Sequence, residues 1–187
     1  DVYKRQCLKY TDDYPENIYF VDCQGENMAE CFSDARVICT GAYVSFIRAG
    51  DEYSYEALKK LSEEPAFTKA PAICIAAETS KRRNGSVPYN FGAKDGTIKL
   101  KTNPDKVSLI LGAYFFRNNT IVNVRFKKSL SSDFTMAFIL DYFYHIGSYV
   151  YTSKFKFISP YPAENDIKNL KEQYNNCLLY TSDAADD

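Results

Sequence analysis

Arg48, Asp51 and Asp133 are the side chains whose types and settings can do chemistry in this sequence. Arg48 closes the apolar run Tyr43-Val44-Ser45-Phe46-Ile47 and is followed by Ala49-Gly50-Asp51. A guanidinium at a strand end is either solvated or ion-paired, and its planar fork also suits two phosphate oxygens at once. Asp51 stands just ahead of Ser54, so capping a turn is open to it as well as contact with a ligand. Asp133 follows Ser132 at the head of a long apolar stretch. That pair suits the first turn of a helix, where a hydroxyl and a carboxylate satisfy free N–H groups and favour the dipole. A carboxylate in that position can also take a proton from a hydroxyl, and one residue can do both. His145, the single histidine, lies late in the same stretch and is expected to be a hydrogen-bonded core or edge residue rather than a base. Lys81-Arg82-Arg83 leads into the turn signal Asn84-Gly85 and reads as a solvated loop, with an anionic acceptor or lipid head group as the alternative. Asn118-Asn119-Thr120 fits the glycosylation pattern, which carries meaning only in a secreted protein.

The elements that must position these residues follow from periodicity. Asn17 to Asp22 reads as a short buried strand. Met28 to Cys39 reads as a helix stopped by Gly41. Tyr43 to Ile47 is a second strand, and Ser54 caps a helix whose apolar face is Ala57, Leu58 and Leu61. This strand–helix alternation predicts a parallel sheet. Ala72 to Ala76 is a buried strand. The polar stretch from Glu78 to Thr102 is expected to leave the sheet. Val107 to Gly112 returns as strand. A helix runs from Asp133 to Ile146, apolar nearly all round and therefore buried on most sides. Gly147 ends it, and Tyr149 to Ile158 is a last strand before Pro160 and Pro162.

Composition narrows the function classes. With 23 Lys plus Arg against 24 Asp plus Glu, the chain is nearly neutral, which argues against coating nucleic acid and against a disordered tail. No apolar run is long enough to span a membrane. Cys7, Cys23, Cys31, Cys39 and Cys74 form no C-x-x-C pair and are expected to be buried free thiols of a reducing compartment. The two ends read differently from the rest. Asp1 to Gln6 and Cys177 to Ser182 can be encoded by DNA strings that are near reverse complements, matching a transposase sequencing adaptor. Residues 1–6 and 177–187 are therefore expected to be adaptor-derived scars, with one partial domain over 7–176.

Three stretches of that domain resemble glycosyltransferase family 2. Gly41-Ala42-Tyr43-Val44-Ser45-Phe46-Ile47-Arg48-Ala49-Gly50-Asp51 is similar to the family's G-x-Y-[IV]-x-F-[LI]-D-x-D-D, and Ala57-Leu58-Lys59-Lys60-Leu61 to the A-L-x-x-L of the next helix. Leu109 to Asn118, leading into Ile121 and Phe126, resembles the strand ending in phenylalanine and a basic residue ahead of x-F-D-E-x-L. Leu130-Ser131-Ser132-Asp133-Phe134 falls where the family has the Glu-Asp pair that opens a helix. Val87-Pro88-Tyr89-Asn90-Phe91 stands where the glycosyltransferase-like domain of teichoic-acid and capsule polymer glycerophosphotransferases has a P-L-N-like segment.

The resemblance implies an α/β fold of the GT-A (Rossmann-like) type. Its sheet would be mixed but mainly parallel, flanked by helices and truncated at the N-terminus. It implies transfer of a sugar from a nucleotide-sugar donor to a polysaccharide, polyol-phosphate or lipid-linked acceptor. The expected location is the cytoplasm or the inner face of the membrane, with any membrane association made through the longer protein. It assigns Asp133 the role of base, Arg48 and Asp51 the donor diphosphate, and Tyr89 and Asn90 the acceptor. A divalent cation, Mg or Mn, is expected for the family. Here Arg48 and Gly50 replace the first two carboxylates of its D-x-D-D pattern, so no metal ligand is assigned. The alternative is a catalytically silent module that positions an acceptor for a fused transferase domain.

Overall fold

The structure is a computed structural model that describes residues 2–21, 23, 28–64, 67–81, 85–89, 92–127 and 134–160. In chain order the elements are α1 (Val2–Asp13), α2 (Met28–Val37), β1 (Tyr43–Val44), β2 (Glu52–Tyr53), α3 (Tyr55–Glu63), β3 (Ala72–Lys81), β4 (Gly85–Tyr89) and β5 (Gly96–Lys99). A 3-10 turn over Leu111–Ala113 leads into β6 (Tyr114–Arg117), α4 (Asn118–Ile121), α5 (Phe134–Ile146) and β7 (Ser148–Ser159). The strands form one sheet in the order β1-β6-β3-β7-β2, with β4 added to β3 and β5 added to β7.

The sheet is mixed, as expected, but it is not mainly parallel. Among the described residues only β3 and β7 pair in parallel, while β1–β6, β2–β7, β3–β4, β3–β6 and β5–β7 are antiparallel. The reason lies in β6. It runs against both β1 and β3 and separates them, so β1, β3 and β7 share a direction without all being neighbours. The strand–helix alternation caught those three co-directional strands and missed the antiparallel ones that fill between and beside them.

Four expected elements change. Asn17 to Val21 is no strand, and Tyr19 is 65% exposed; the apolar run has no sheet partner, while Asp22 lies outside the described residues. β1 stops at Val44 rather than Ile47. The chain between Glu78 and Thr102 does not leave the sheet: β3 runs on to Lys81, β4 folds back on it, and β5 returns to pair with β7. Val107 to Ile110 is not strand either, because the strand lies later, at Tyr114–Arg117. Its position depends on Gly112, which approaches the Phe157 ring so closely that a Cβ there would overlap it.

The core is aromatic. α5 is buried through Phe134, Met136, Phe138, Ile139, Tyr142 and Phe143, matching a helix that is apolar nearly all round. Phe138 stacks on Phe126 at 4.0 Å between ring centroids and meets Phe46 and Phe116 edge-on at 5.7 and 5.5 Å. Edge-on and offset contacts of this kind add roughly 0.5–1.5 kcal/mol each beyond area burial. Gly147 (φ +71°) ends α5, accepting a left-handed conformation that a side chain would resist. Of the described thiols, only Cys74 is buried; Cys7 and Cys39 are exposed. The expectation of buried cysteines therefore holds for the one in the central strand, and burial raises its thiol pKa far above the usual range.

Candidate functional site

The shared direction of β1, β3 and β7 gives the sheet a carboxyl end, which is where open α/β sheets place ligands. β1 leaves that end through Ser45, Phe46 and Ile47 into a turn over residues 48–51. The turn is closed by the Asp51 N–H donating to the Arg48 carbonyl at 3.0 Å, with Gly50 at φ +92°. That bond and that angle are those of a type II turn, which needs glycine at its third position. Gly50 thus has a conformational reason to stand where the family pattern has a carboxylate.

Asp51 is bound into this turn. One carboxylate oxygen accepts the Arg48 backbone N–H at 2.7 Å, and the other accepts the Ser159 hydroxyl at 2.6 Å. The residue therefore fastens the turn to the end of β7. It is a poor ligand for a divalent cation, since both oxygens already accept hydrogen bonds and no second carboxylate stands beside it in the turn. Among the described residues no group of three or more His, Cys, Asp or Glu is arranged to hold a metal ion. The donor set does not fit the family's cation. Arg48 itself is exposed at this end.

Behind the turn, Tyr53 locks the floor. Its hydroxyl shares a 2.7 Å hydrogen bond with Ser45 and donates to the Gly112 carbonyl. Burial raises its pKa well above the usual phenol range, with the Ser45 hydrogen bond opposing. The phenol therefore stays protonated at any ordinary pH, as a donor to Gly112 must.

α5 approaches the same end with its first turn. Phe134 is buried, with its ring 5.8 Å from Phe126 and 6.0 Å from Phe32. Phe32 is in turn 5.3 Å from Phe46, two residues before Arg48. The far end of α5 is held at the start of β3, where the Tyr142 hydroxyl donates to the Pro71 carbonyl at 2.5 Å. α5 therefore runs against β3, with its amino end toward the exit of β1. Asp133, the residue before Phe134, lies outside the described residues, as do Ser132 and Asn90. Tyr89 closes β4, with its backbone opposite Ala77 of β3; its side chain is not described. His145 sits at the other end of α5, exposed, with Nε2 3.6 Å from the Asp141 carboxylate one turn earlier. It is an edge residue remote from the turn at 48–51.

The amino end of the sheet is a hydrogen-bonded tie. Tyr43 donates to the Phe67 and Ala70 carbonyls at 2.5 and 2.6 Å. Arg117 Nε donates to the Ala70 carbonyl at 3.1 Å, and Nη2 donates to the Thr68 carbonyl and to the Tyr43 hydroxyl. The Asn118 amide donates to the carbonyls of Cys39 and Gly41 at 2.8 and 2.9 Å. Thr120 and Tyr142 share a further hydroxyl contact of 2.7 Å. Burial raises the Tyr142 phenol pKa to about 12. The glycine and tyrosine of the first family-like stretch and the Arg-Asn of the second thus meet here, holding β1, β6 and the loop before β3 together. A shallow groove of about 500 Å³ lies alongside, lined by Thr40, Tyr43, Arg117 and Val122 among others. It contains none of Arg48, Asp51 or Tyr89 and lies at the wrong end of the strands for the chemistry assigned to them.

Two residues at the carboxyl end were not singled out from the sequence. Glu78 is buried on β3, and its carboxylate takes the Lys156 ammonium of β7 at 2.5 Å. The only available signal was charge at the end of an apolar run.

No protein-family model matches the chain, and no curated protein does. Solved structures do match. S. aureus TarS is similar with a TM-score of 0.60 at 13% identity, over 82% of this chain and 47% of that one. The mixed sheet is compatible with a glycosyltransferase-like fold. TarS in complex with UDP gives 0.56 at 14% identity over 82% and 47%, and TarS in complex with UDP-GlcNAc gives 0.52 at 15% over 82% and 46%. The chain thus spans about half the length of the TarS chains it matches. At these identities the likeness is one of fold.

Proposed function

We propose that this chain is the acceptor-side part of a glycosyltransferase, moving a sugar from a nucleotide-sugar to a cell-surface polymer or lipid-linked acceptor. The observation that supports it most is convergence. The turn carrying Arg48 and the first turn of α5, next to Asp133, lie at one end of the sheet, joined by the Phe46–Phe32–Phe134 cluster. The fold likeness to TarS, a teichoic-acid glycosyltransferase whose structures hold UDP and UDP-GlcNAc, supports a nucleotide-sugar as donor.

The chemistry needs three things. Asp133 takes the proton of the acceptor hydroxyl as its oxygen bonds to the anomeric carbon. The bond from that carbon to the diphosphate breaks, and the electron pair leaves with the nucleoside diphosphate. Arg48 supplies fixed positive charge against the diphosphate as negative charge builds there. Asp51 holds the backbone of the turn and so orients Arg48. Tyr89 and Asn90 belong to the acceptor side. The reaction takes place in the cytoplasm or at the inner face of the membrane, where polymers for capsule or wall are assembled. Among the described residues no helix is long and apolar enough to cross a membrane.

A second reading has its own observation. The engagement of both Asp51 oxygens within the fold favours a silent module that only positions an acceptor. Release of UDP from UDP-GlcNAc by the protein that contains this chain, compared with its Asp133→Asn variant, separates the two. Turnover that falls at least a hundredfold in the variant supports catalysis, since a positioned general base contributes roughly 10²–10⁴-fold. Absence of turnover with any nucleotide-sugar supports the silent module.

A further inference from the structure

Arg117 is a cation whose partners in the fold are all neutral. Its Nε and Nη2 groups donate to the carbonyls of Ala70 and Thr68 and to the Tyr43 hydroxyl, and its guanidinium lies 5.5 Å from the centre of the Tyr43 ring. Nη1 makes no hydrogen bond to a described residue, and among the described residues no carboxylate is ion-paired with Arg117. The side chain is half-buried. Neutral carbonyls account for its donors but leave its charge uncompensated, and a cation drawn partly out of water is costly until an opposite charge meets it.

The guanidinium lines the groove of about 500 Å³ at the amino end of the sheet, a volume inside the range of roughly 300–1,000 Å³ usual for ligand pockets. No carboxylate is among the described residues that line it. The backbone oxygens on this side are turned to partners within the fold. The Asn118 amide takes the carbonyls of Cys39 and Gly41, and the Asn118 N–H takes that of Ala42. Oxygens that would repel an anion are thus engaged, while the Arg117 guanidinium, the Thr40 hydroxyl and the Asn119 amide bring donors to the same groove. Thr40 and Asn119 are exposed at its rim.

These donors come from separate segments, the approach to β1, the end of β6 and the start of α4. Donors from three segments suit an anion that presents acceptors in three directions. A phosphate group has three strong acceptor oxygens, whereas a carboxylate has two in one plane. Hydrogen bonds from a guanidinium to phosphate are charge-assisted and roughly twice as strong as neutral ones. Val122, 53% exposed, adds an apolar wall for a carbon group that carries the phosphate.

We propose that the groove beside Arg117 is a phosphate-binding site, separate from the transfer chemistry at the carboxyl end. Its ligand is inorganic phosphate or a phosphate monoester. The site stands on the uncompensated guanidinium and the donor-lined groove, and it holds whether or not the chain transfers sugars.

Inorganic phosphate is titrated into the isotope-labelled full chain at constant ionic strength, and the amide shifts of Gly41, Ala42 and Asn119 are followed. Saturable shifts are expected in the wild type. Arg117→Gln should bind at least tenfold more weakly. Because that change also cuts the tie to Tyr43 and Thr68, Asn119→Asp is the second variant; it sets a repelling carboxylate at the exposed rim, should keep the thermal midpoint, and should also weaken binding at least tenfold. Arg48→Ala, at the other end of the sheet, should bind phosphate as the wild type does, and loss of UDP binding in that variant alone reports on the glycosyltransferase reading instead. Phenyl phosphate separates the two ligand sources: tighter binding than inorganic phosphate marks an ester site, and equal binding marks a site for the free anion. Phosphate that leaves these amides unmoved in the wild type, binds equally well to folded Asn119→Asp, or is matched by acetate at the same concentration overturns the site.

Discussion

Asp51 and Arg48 occupy one turn with different duties. The aspartate accepts the Arg48 N–H and the Ser159 hydroxyl, so Asp51→Ala removes two charge-assisted bonds. The expected loss is about 1–2 kcal/mol, read as a lower thermal midpoint. The sequence offered turn capping and ligand contact as equal options for this residue, because a carboxylate before a helix suits either; the partner that engages it in the fold, Ser159, stands 108 residues later in the chain and is invisible locally. Glu78 was hidden for a related reason. Its burial depends on β3 running past it to Lys81 with strands on both sides, and nothing local announces that. Asp95 gives a pH test at the same scale. Its carboxyl is held below the ordinary value of 3.8, chiefly by hydrogen bonding from Ser153, with Thr152 and Lys154 adding to it. A depressed folded pKa means that its stabilisation is complete above the unfolded value and is lost as pH falls through the folded one. Asp95→Asn should therefore lower stability at neutral pH and flatten the decline below about pH 4, as followed by chemical unfolding at a series of pH values.

Elements were legible where one face or one stop signal decided them. α5 and β7 stood out because an all-round apolar helix, Gly147 and a long apolar strand follow one another without ambiguity. β6 was misplaced by a few residues because Val107 to Gly112 has strand composition, yet the close approach of Gly112 to Phe157 makes that stretch the entry to the strand. Gly112→Ala should push Phe157 and the adjacent Tyr53 out of place, costing about 1–3 kcal/mol as overpacking does; a melt of unchanged midpoint would contradict the close approach. Phe138→Ala tests the aromatic core itself. It empties a fully buried site in contact with Phe46, Phe116 and Phe126, with an expected loss of about 3–5 kcal/mol by denaturant titration.

At the scale of the molecule, the sheet sorts the family-like motifs by end. Gly41, Tyr43, Arg117 and Asn118 hold the amino end together, while Arg48, Asp51 and the approach to Asp133 belong to the carboxyl end. Sequence spacing could not divide them, because Tyr43 and Arg48 are only five residues apart and fall at opposite ends of one crossing. In the proposed function, the carboxyl end receives a nucleoside diphosphate through Arg48 in place of a metal. Titration calorimetry of UDP into the chain, without added divalent cation, tests it directly. Saturable binding is expected, weakening at least tenfold in Arg48→Ala, a loss of about 1.4 kcal/mol or more. UDP binding of equal strength in the two proteins, or none in either, would contradict it.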